Sequence, residues 1–384
     1  MIQNTLRKDE RKSEIWREIY MNGRGNNFNL IRLLAALLVL GGHSFVLTGS
    51  TPPSFLGSAP HRLGIILFFT VGGYLITESW KRDPDYLCYL IRRVFRIFPA
   101  LITCIAVLTF MIGPLLSAYT LKEYFTDNGT WNYLKNMRLY VNYTLPGVFS
   151  QNPISTAVNG SLWSLPVEFF MYLLIPAIYE VGRKGGGKIH ILLTVSVCGI
   201  SAWKHIAVPE WSFVIYGTDL GQALEVVPYY FLGSLAATLE IKRIWNLQLA
   251  LILYIICQCL PCGDAVGMLL AFAVVPYIVF SFAFCENPFG GRQCLRNKLK
   301  FSYGLYLYGF FAQQLVIEWL WKRGLPLRAE VVMVFGLILA GVLAVASEKL
   351  VEEPARKLSH GLIDGVRKCL RQFQEQNKRR ENRE

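Results

Sequence analysis

Three groups of residues in this 384-residue chain have the types and spacing to do chemistry. Arg32 and His43 stand eleven positions apart in an otherwise apolar stretch. Eleven helical steps of about 100° make three turns and about 20°, so both side chains share one helix face, about 16 Å apart along the axis. Glu168 follows Trp163-Ser164-Leu165-Pro166-Val167 in a second apolar stretch. A carboxylate beside an imidazole fixes its tautomer and stabilises the imidazolium, which makes His43 and Glu168 a candidate general-base pair. The third group is Arg92, Arg93 and Arg96. Arg93 and Arg96, at i and i+3, can point at one anion, and with Arg32 they form a guanidinium cluster suited to bidentate phosphate binding. Each has a plainer reading: Arg32 as a snorkelling anchor, His43 as a packing histidine, Glu168 as a structural partner of an Arg or Tyr, and the other arginines as loop charge.

These residues need elements that hold them away from water, and the composition supplies them. With 53% hydrophobic and 17% charged residues and a mean hydropathy of +0.36, the chain does not fit a soluble surface. It reads as an all-α, polytopic membrane protein. A spanning helix needs about 20 mostly apolar residues, and ten segments qualify: 28–48, 62–79, 97–116, 162–180, 189–206, 224–240, 244–260, 265–284, 301–321 and 330–351. The net charge of +13 would suggest a nucleic-acid partner if its cations were clustered on one surface, but they sit in the connecting segments. With the N-terminus inside, the inside segments carry 29 Lys and Arg and the outside segments 8, so both termini are expected to be cytoplasmic. Residues 1–27 are polar without an apolar core and cleavage site, so the first span is expected to be its own targeting signal. The domain reading is a cytoplasmic tail over 1–27, a transmembrane domain over 28–355 and a basic cytoplasmic tail over 356–384.

On this topology Arg32, Arg93 and Arg96 lie at the cytoplasmic mouth. His43 and Glu168 are expected at one depth nearer the outside, each some 8–9 Å from the outer end of its span. A phosphate-bearing carrier with a long arm would fit that geometry. Ionisable groups inside spans are costly and mark function by default. Glu318 and Gln313-Gln314 could line a polar path, whereas His61, His190, His205 and His360 fall in loops or at span edges and receive no role. Of nine cysteines only Cys259-x-x-Cys262 has metal-like or redox-like spacing, without a second such pair or a histidine, so no metal site is read. The segment 117–161 is long and external on this topology, and could cap a site.

Several motifs together resemble those of the acyltransferase 3 family of integral membrane O-acyltransferases. They are Arg32-x10-His43, Gly64 to Ile76 on the second span, Arg93-x-x-Arg96 before Pro99, Trp163 to Tyr172, Ser302 to Tyr308 and Val351-Glu352-Glu353-Pro354. Gly72-Gly73 stands where Ser-Gly is common in that family, and Gly309 and Phe311 stand where His and Pro often follow in the span-nine motif. The resemblance implies acyl transfer, usually of acetyl, from cytoplasmic acetyl-CoA or another acyl-CoA to a hydroxyl of an extracytoplasmic or lipid-linked glycan, by a multi-pass protein of the inner (plasma) membrane. On that reading Arg32, Arg93 and Arg96 hold the donor. His43 acts as base or transient acyl carrier, Glu168 orients it, and Trp163 and Ser164 contact the saccharide acceptor. Membrane lipids and acyl-CoA are then the partners, and nucleic acid is not. The competing class is a proton-coupled transporter or flippase of a sugar-containing solute, which would use the same buried charges but commonly shows internal repeats that are absent here.

Overall fold

The computed structural model describes residues 27–55, 58–241, 244–259, 264–285 and 301–381, and it is a helical bundle. Its long helices, in chain order, are α1 (Phe28–Leu47), α2 (Pro60–Arg82), α3 (Tyr86–Val107), α4 (Ser164–Lys184), α5 (Lys188–Ala207), α6 (Leu220–Thr238), α7 (Leu247–Cys259), α8 (Asp264–Phe284), α9 (Ser302–Lys322), α10 (Ala329–Ser347) and α11 (Glu353–Glu381). The first ten correspond one for one to the expected spans. α3 continues through a π-helical turn at Leu108–Ile112, and a second such turn at Glu348–Glu352 joins α10 to α11. A single two-stranded hairpin, Val214–Ile215 with Thr218–Asp219, is present among the described residues.

Local chemistry sets the helix starts. Pro60 opens α2, where its missing N–H would have had no partner. The Asp85 carboxylate accepts from the Cys88 amide at 2.8 Å to cap α3, and Asp219 accepts from the Gly221 amide at 2.8 Å to cap α6. Interior prolines at 99, 176, 228 and 276 sit within helices whose neighbours can satisfy the freed backbone groups.

Among the described residues seven helical stretches are long and apolar enough to cross a membrane: Phe28–Leu47, Pro60–Arg82, Tyr86–Leu116, Gly160–Lys184, Lys188–Ala207, Val266–Phe284 and Ala329–Leu370. α7 has the apolar character but only 13 residues. α9 and α6 fall outside the seven for a different reason. Fifteen of the 21 residues of α9 are buried, including Gln313, Gln314 and Glu318, so its sequence answers to protein neighbours more than to lipid.

Close packing around α2 holds the bundle together. A Cβ at Gly73 would overlap the Tyr230 carbonyl, and one at Gly233 would overlap that of Thr70, so α2 and α6 meet backbone to backbone. Without water between them, helices in a membrane gain their attraction from such close approach. The Thr77 and Ser234 hydroxyls, 2.7 Å apart, close the same seam. Gly64 lets α2 approach α1 equally closely, since a Cβ there would stand 2.5 Å from the Ala35 carbonyl oxygen.

Candidate functional site

The N-terminal parts of α1 and α9 and the middle of α3 converge with α2 and α4 on a narrow cavity of about 30 Å³, room for one or two waters. Arg32, Arg96, Glu168 and Ser164 all line it, together with Phe68, Tyr172, Tyr303 and Tyr306. Arg96 donates to the buried Glu352 carboxylate at 3.4 Å and lies over the Tyr303 ring at 5.2 Å. Arg93 is set aside from the cavity between the rings of Tyr89 and Tyr172, at 5.5 and 5.7 Å, and donates to the Ser79 hydroxyl at 3.3 Å. The Tyr172 hydroxyl donates to Glu168. Arg32 differs from its neighbours, because among the described residues no carboxylate comes within 4.0 Å of it and it makes no hydrogen bond. A guanidinium at a cavity wall without a counter-ion is poised to receive an anion.

His43 lies elsewhere on the face it shares with Arg32. Its ring stacks on that of His61 with centroids 5.2 Å apart and planes 23° apart, and meets the edge of Phe310 at 5.1 Å. The closeness of α1 and α2 enforces the stack, since any Cβ at Gly42 would overlap the backbone of His61. The next residue, Ser44, accepts from the buried Gln313 amide at 2.5 Å, which also donates to the Leu40 carbonyl at 2.6 Å. This network fixes α1 against α9 at the level of His43.

The expected pairing of His43 with Glu168 is not formed, because α4 does not begin at a membrane surface. It is entered through a 3-10 turn, Gly160–Trp163, recessed inside the bundle. Residues 152–161 run along α9 and are tied to it. Asn152 donates to Gln314 Oε1 at 3.0 Å, Gln314 donates to the Ala157 carbonyl at 2.6 Å, and Asn159 donates to the Leu307 carbonyl at 2.7 Å. A Cβ at Gly160 would stand 2.6 Å from the Phe310 ring that also touches His43. Gly160 is therefore level with His43, and Glu168, eight residues on, lies about 12 Å deeper. The carboxylate belongs to the Arg32 end.

Trp163 and Ser164 fall between the two levels. Trp163 is half-buried against the core, and the Ser164 hydroxyl is 2.5 Å from that of Tyr306, which donates to the Ser161 carbonyl at 2.7 Å. The structure thus brings Arg32, Arg96, Glu168 and Ser164 together, sets Arg93 beside them, and leaves His43 apart with His61. Three residues absent from the expected site, Tyr172, Tyr306 and Glu352, join the Arg32 group, and a fourth, His61, joins His43. Tyr172 stands at i+4 from Glu168, a spacing that could have revealed it, and Tyr306 and Glu352 lie in motifs that had no assigned role. His61 had no signal, since its importance comes from a contact with another helix. The second member of the Cys259-x-x-Cys262 pair lies outside the described residues.

Residues 26–347 match the Acyl_transf_3 family, described as an acyltransferase domain, and the chain belongs to that family. It is a multi-pass membrane acyltransferase. It is 27% identical over 305 residues to an O-acetyl transferase of Shigella phage Sf6, covering 77% of this chain and 86% of the relative. It is also 27% identical over 384 residues to nodulation protein 10 of Rhizobium leguminosarum bv. viciae, covering 90% and 96% of the two chains. A shorter likeness, 28% over 177 residues, links 41% of the chain to 27% of the peptidoglycan O-acetyltransferase OatA of Listeria monocytogenes. No solved structure matches.

Proposed function

We propose that the protein is an O-acetyltransferase of the inner (plasma) membrane that moves an acetyl group from cytoplasmic acetyl-CoA to a hydroxyl of an extracytoplasmic or lipid-linked glycan. The observation that carries this reading is the unpaired Arg32 at the cavity wall beside Arg96, on the same helix face as His43 about 16 Å away. A phosphate at the guanidiniums and a reactive thioester at the imidazole need a long extended arm between them, and acyl-CoA has one. The names of the phage and Listeria relatives, both O-acetyl transferases, support acetyl as the group and a saccharide as the acceptor class. Ten crossings with both termini cytoplasmic, a transmembrane domain over 28–355 and flanking tails are part of the proposal.

In this reading Arg32 and Arg96, with Arg93 beside them, hold the donor's diphosphate. His43 removes the acceptor hydroxyl proton as the oxygen attacks the thioester carbonyl; the C–S bond breaks, and His43 returns the proton to the leaving thiolate. His61, stacked on His43, keeps that ring in one orientation. Glu168 serves at the donor end, bonded to Tyr172 and sharing the cavity wall with Arg32, instead of orienting His43. Trp163 remains the candidate for stacking on a sugar, and Ser164 bounds the passage between donor and His43. The test is glycan acetylation read by mass spectrometry in cells carrying His43→Ala or Arg32→Ala. Loss of the acetyl mass shift is expected in both, and full acetylation by a well-expressed His43→Ala protein would overturn the mechanism.

A further inference from the structure

The C-terminal segment, expected to be a basic cytoplasmic tail from 356 on, packs as a helix against the bundle. α11 runs back along α3 with Ala355, Ser359 and Ile363 buried, and its contacts repeat in antiparallel register. Glu352, just before α11, pairs with Arg96 at 3.4 Å. Fifteen residues on, Arg367 Nη2 donates to Asp83 Oδ2 at 2.6 Å, the same oxygen that Arg92 Nη1 takes at 2.7 Å. Fifteen residues of α11 and thirteen from Asp83 to Arg96 both span about 20 Å, so the two ion-pair sites face each other along two aligned helices.

The Asp83 site carries more donors than it has acceptors. Two guanidiniums share one carboxylate oxygen, leaving a positive charge over. Arg92 Nε and Nη2 and the nearby Arg93 Nε are buried with no acceptor among the described residues. Buried donors without partners are uncommon in folded proteins and point to an acceptor that is missing. The site is also reachable, since the Arg367 side chain is 43% exposed. Its position is informative too. Arg92 lies four residues before Arg96 on α3, about 6 Å further from His43. If the acyl end of a donor is at His43 and its diphosphate at Arg32 and Arg96, the remaining end of the nucleotide lies in this direction.

We propose that Arg92 and Arg367 form a second phosphate subsite that takes the phosphate monoester on the ribose of the donor coenzyme, with Asp83 holding the two guanidiniums in place until it arrives. This rests on the donor assignment made above. A phosphate monoester presents more negative charge and more acceptor oxygens than the single carboxylate oxygen now shared, and guanidiniums match it bidentately. α11 would then be a working part of the donor site although it lies beyond the segment matched to the family.

The experiment compares acetyl-CoA with acetyl-3′-dephospho-CoA as donors for the full-length protein in nanodiscs of zwitterionic lipid. Wild type is expected to prefer acetyl-CoA in kcat/KM by about 10- to 100-fold, the range for one charge-assisted contact. In Arg367→Gln the two donors should converge, through loss on the acetyl-CoA side and mainly in KM. Equal use of both donors by wild type would overturn the subsite while leaving acetyl-CoA as donor. An equal loss with both donors in Arg367→Gln would also overturn it, since that is the mark of helix docking alone. An effect of the substitution seen only when anionic lipid is added would assign the site to a lipid headgroup, against the proposal. Failure of wild type to use either donor would overturn the underlying donor assignment itself.

Discussion

Arg32 and Arg96 line one cavity, yet the structure gives opposite expectations for removing them. Among the described residues Arg32 has no carboxylate within 4.0 Å, and Glu168 on the same cavity wall already accepts from Tyr172. Arg32→Gln therefore breaks no ion pair, and it removes a guanidinium that is costly to keep away from water. Stability should be unchanged or raised. Arg96 is the partner of Glu352, which is 4% exposed and also faces the Ser347 hydroxyl at 3.5 Å. Removing one member of a buried pair costs about 3–5 kcal/mol, and the 3.4 Å spacing and 21% exposure of Arg96 put Arg96→Gln at the lower end or below, about 2–3 kcal/mol. For donor binding the two should look alike, since each removes charge-assisted bonds worth about 1.5–3 kcal/mol, or about 10- to 150-fold in affinity. Thermal unfolding by tryptophan fluorescence in detergent, with acetyl-CoA titrated by calorimetry, reads both quantities. The reasoning is refuted if Arg32→Gln destabilises as much as Arg96→Gln, or if it folds normally and binds acetyl-CoA as wild type does.

Tyr306 lines the donor cavity four residues before the Phe310 that touches His43, edge-on to Phe68 at 5.6 Å and tethered to Ser161 and Ser164. Tyr306→Trp is expected to block the passage, so that acetyl-CoA still binds but transfer falls by at least about 100-fold; calorimetry beside a transfer assay separates the two, and undiminished transfer would remove Tyr306 from the path. In the 117–161 segment, Thr120 and Glu123 form a reciprocal cap on the helix Leu121–Thr126, with the Glu123 carboxylate accepting from the Thr120 amide and hydroxyl, each at 2.8 Å. Those bonds, the backbone one foremost, hold the Glu123 carboxyl below its ordinary range. A lowered folded value means that the cap contributes fully above the ordinary carboxylate range of about 4.3 and is lost as pH falls through the folded value. Amide-exchange protection of residues 121–126 should fall in that acid window, and in Glu123→Gln the dependence should disappear.

The parts of the site that were legible in the sequence are those set by one helix. Arg32 and His43 share a face because 3.6-residue periodicity places them there, and Arg93 with Arg96 follows from i, i+3 spacing. The first ten long helices were legible for the same reason, as apolar runs, and seven of them belong to stretches long and apolar enough to span a membrane. What failed was depth. Counting inward from Leu162 treated the start of α4 as a membrane surface, but Leu162 is 3% exposed inside protein, held there by Asn159 and Gly160 against α9. No local pattern announces that residues 152–161 will fold into the bundle; it depends on hydrogen bonds to Leu307 and Gln314, about 150 residues away. Glu352 is hidden in the same way, because its partner Arg96 is 256 residues distant. Gln313 and Gln314, which could have lined a polar path, are instead anchors for α1 and for the 152–161 segment.

The separation of His43 from Glu168 sharpens the question of how the two substrates are kept apart. A carboxylate at His43 would have raised the basicity of the imidazole, but it would also have put a negative charge beside the arriving thioester and the leaving thiolate. Placing Glu168 about 12 Å away, next to Arg32, moves that charge to the end where cations are in excess. There it can limit the net charge of the donor cavity while one of its oxygens is held by the Tyr172 hydroxyl. His43 is left with an uncharged environment of His61 and Phe310. The stack on His61 fixes the plane of the His43 ring. On the proposed reading one end of the helix face is arranged to bind negative charge and the other to take up a proton, and the length of α1 between them has to match the donor's arm.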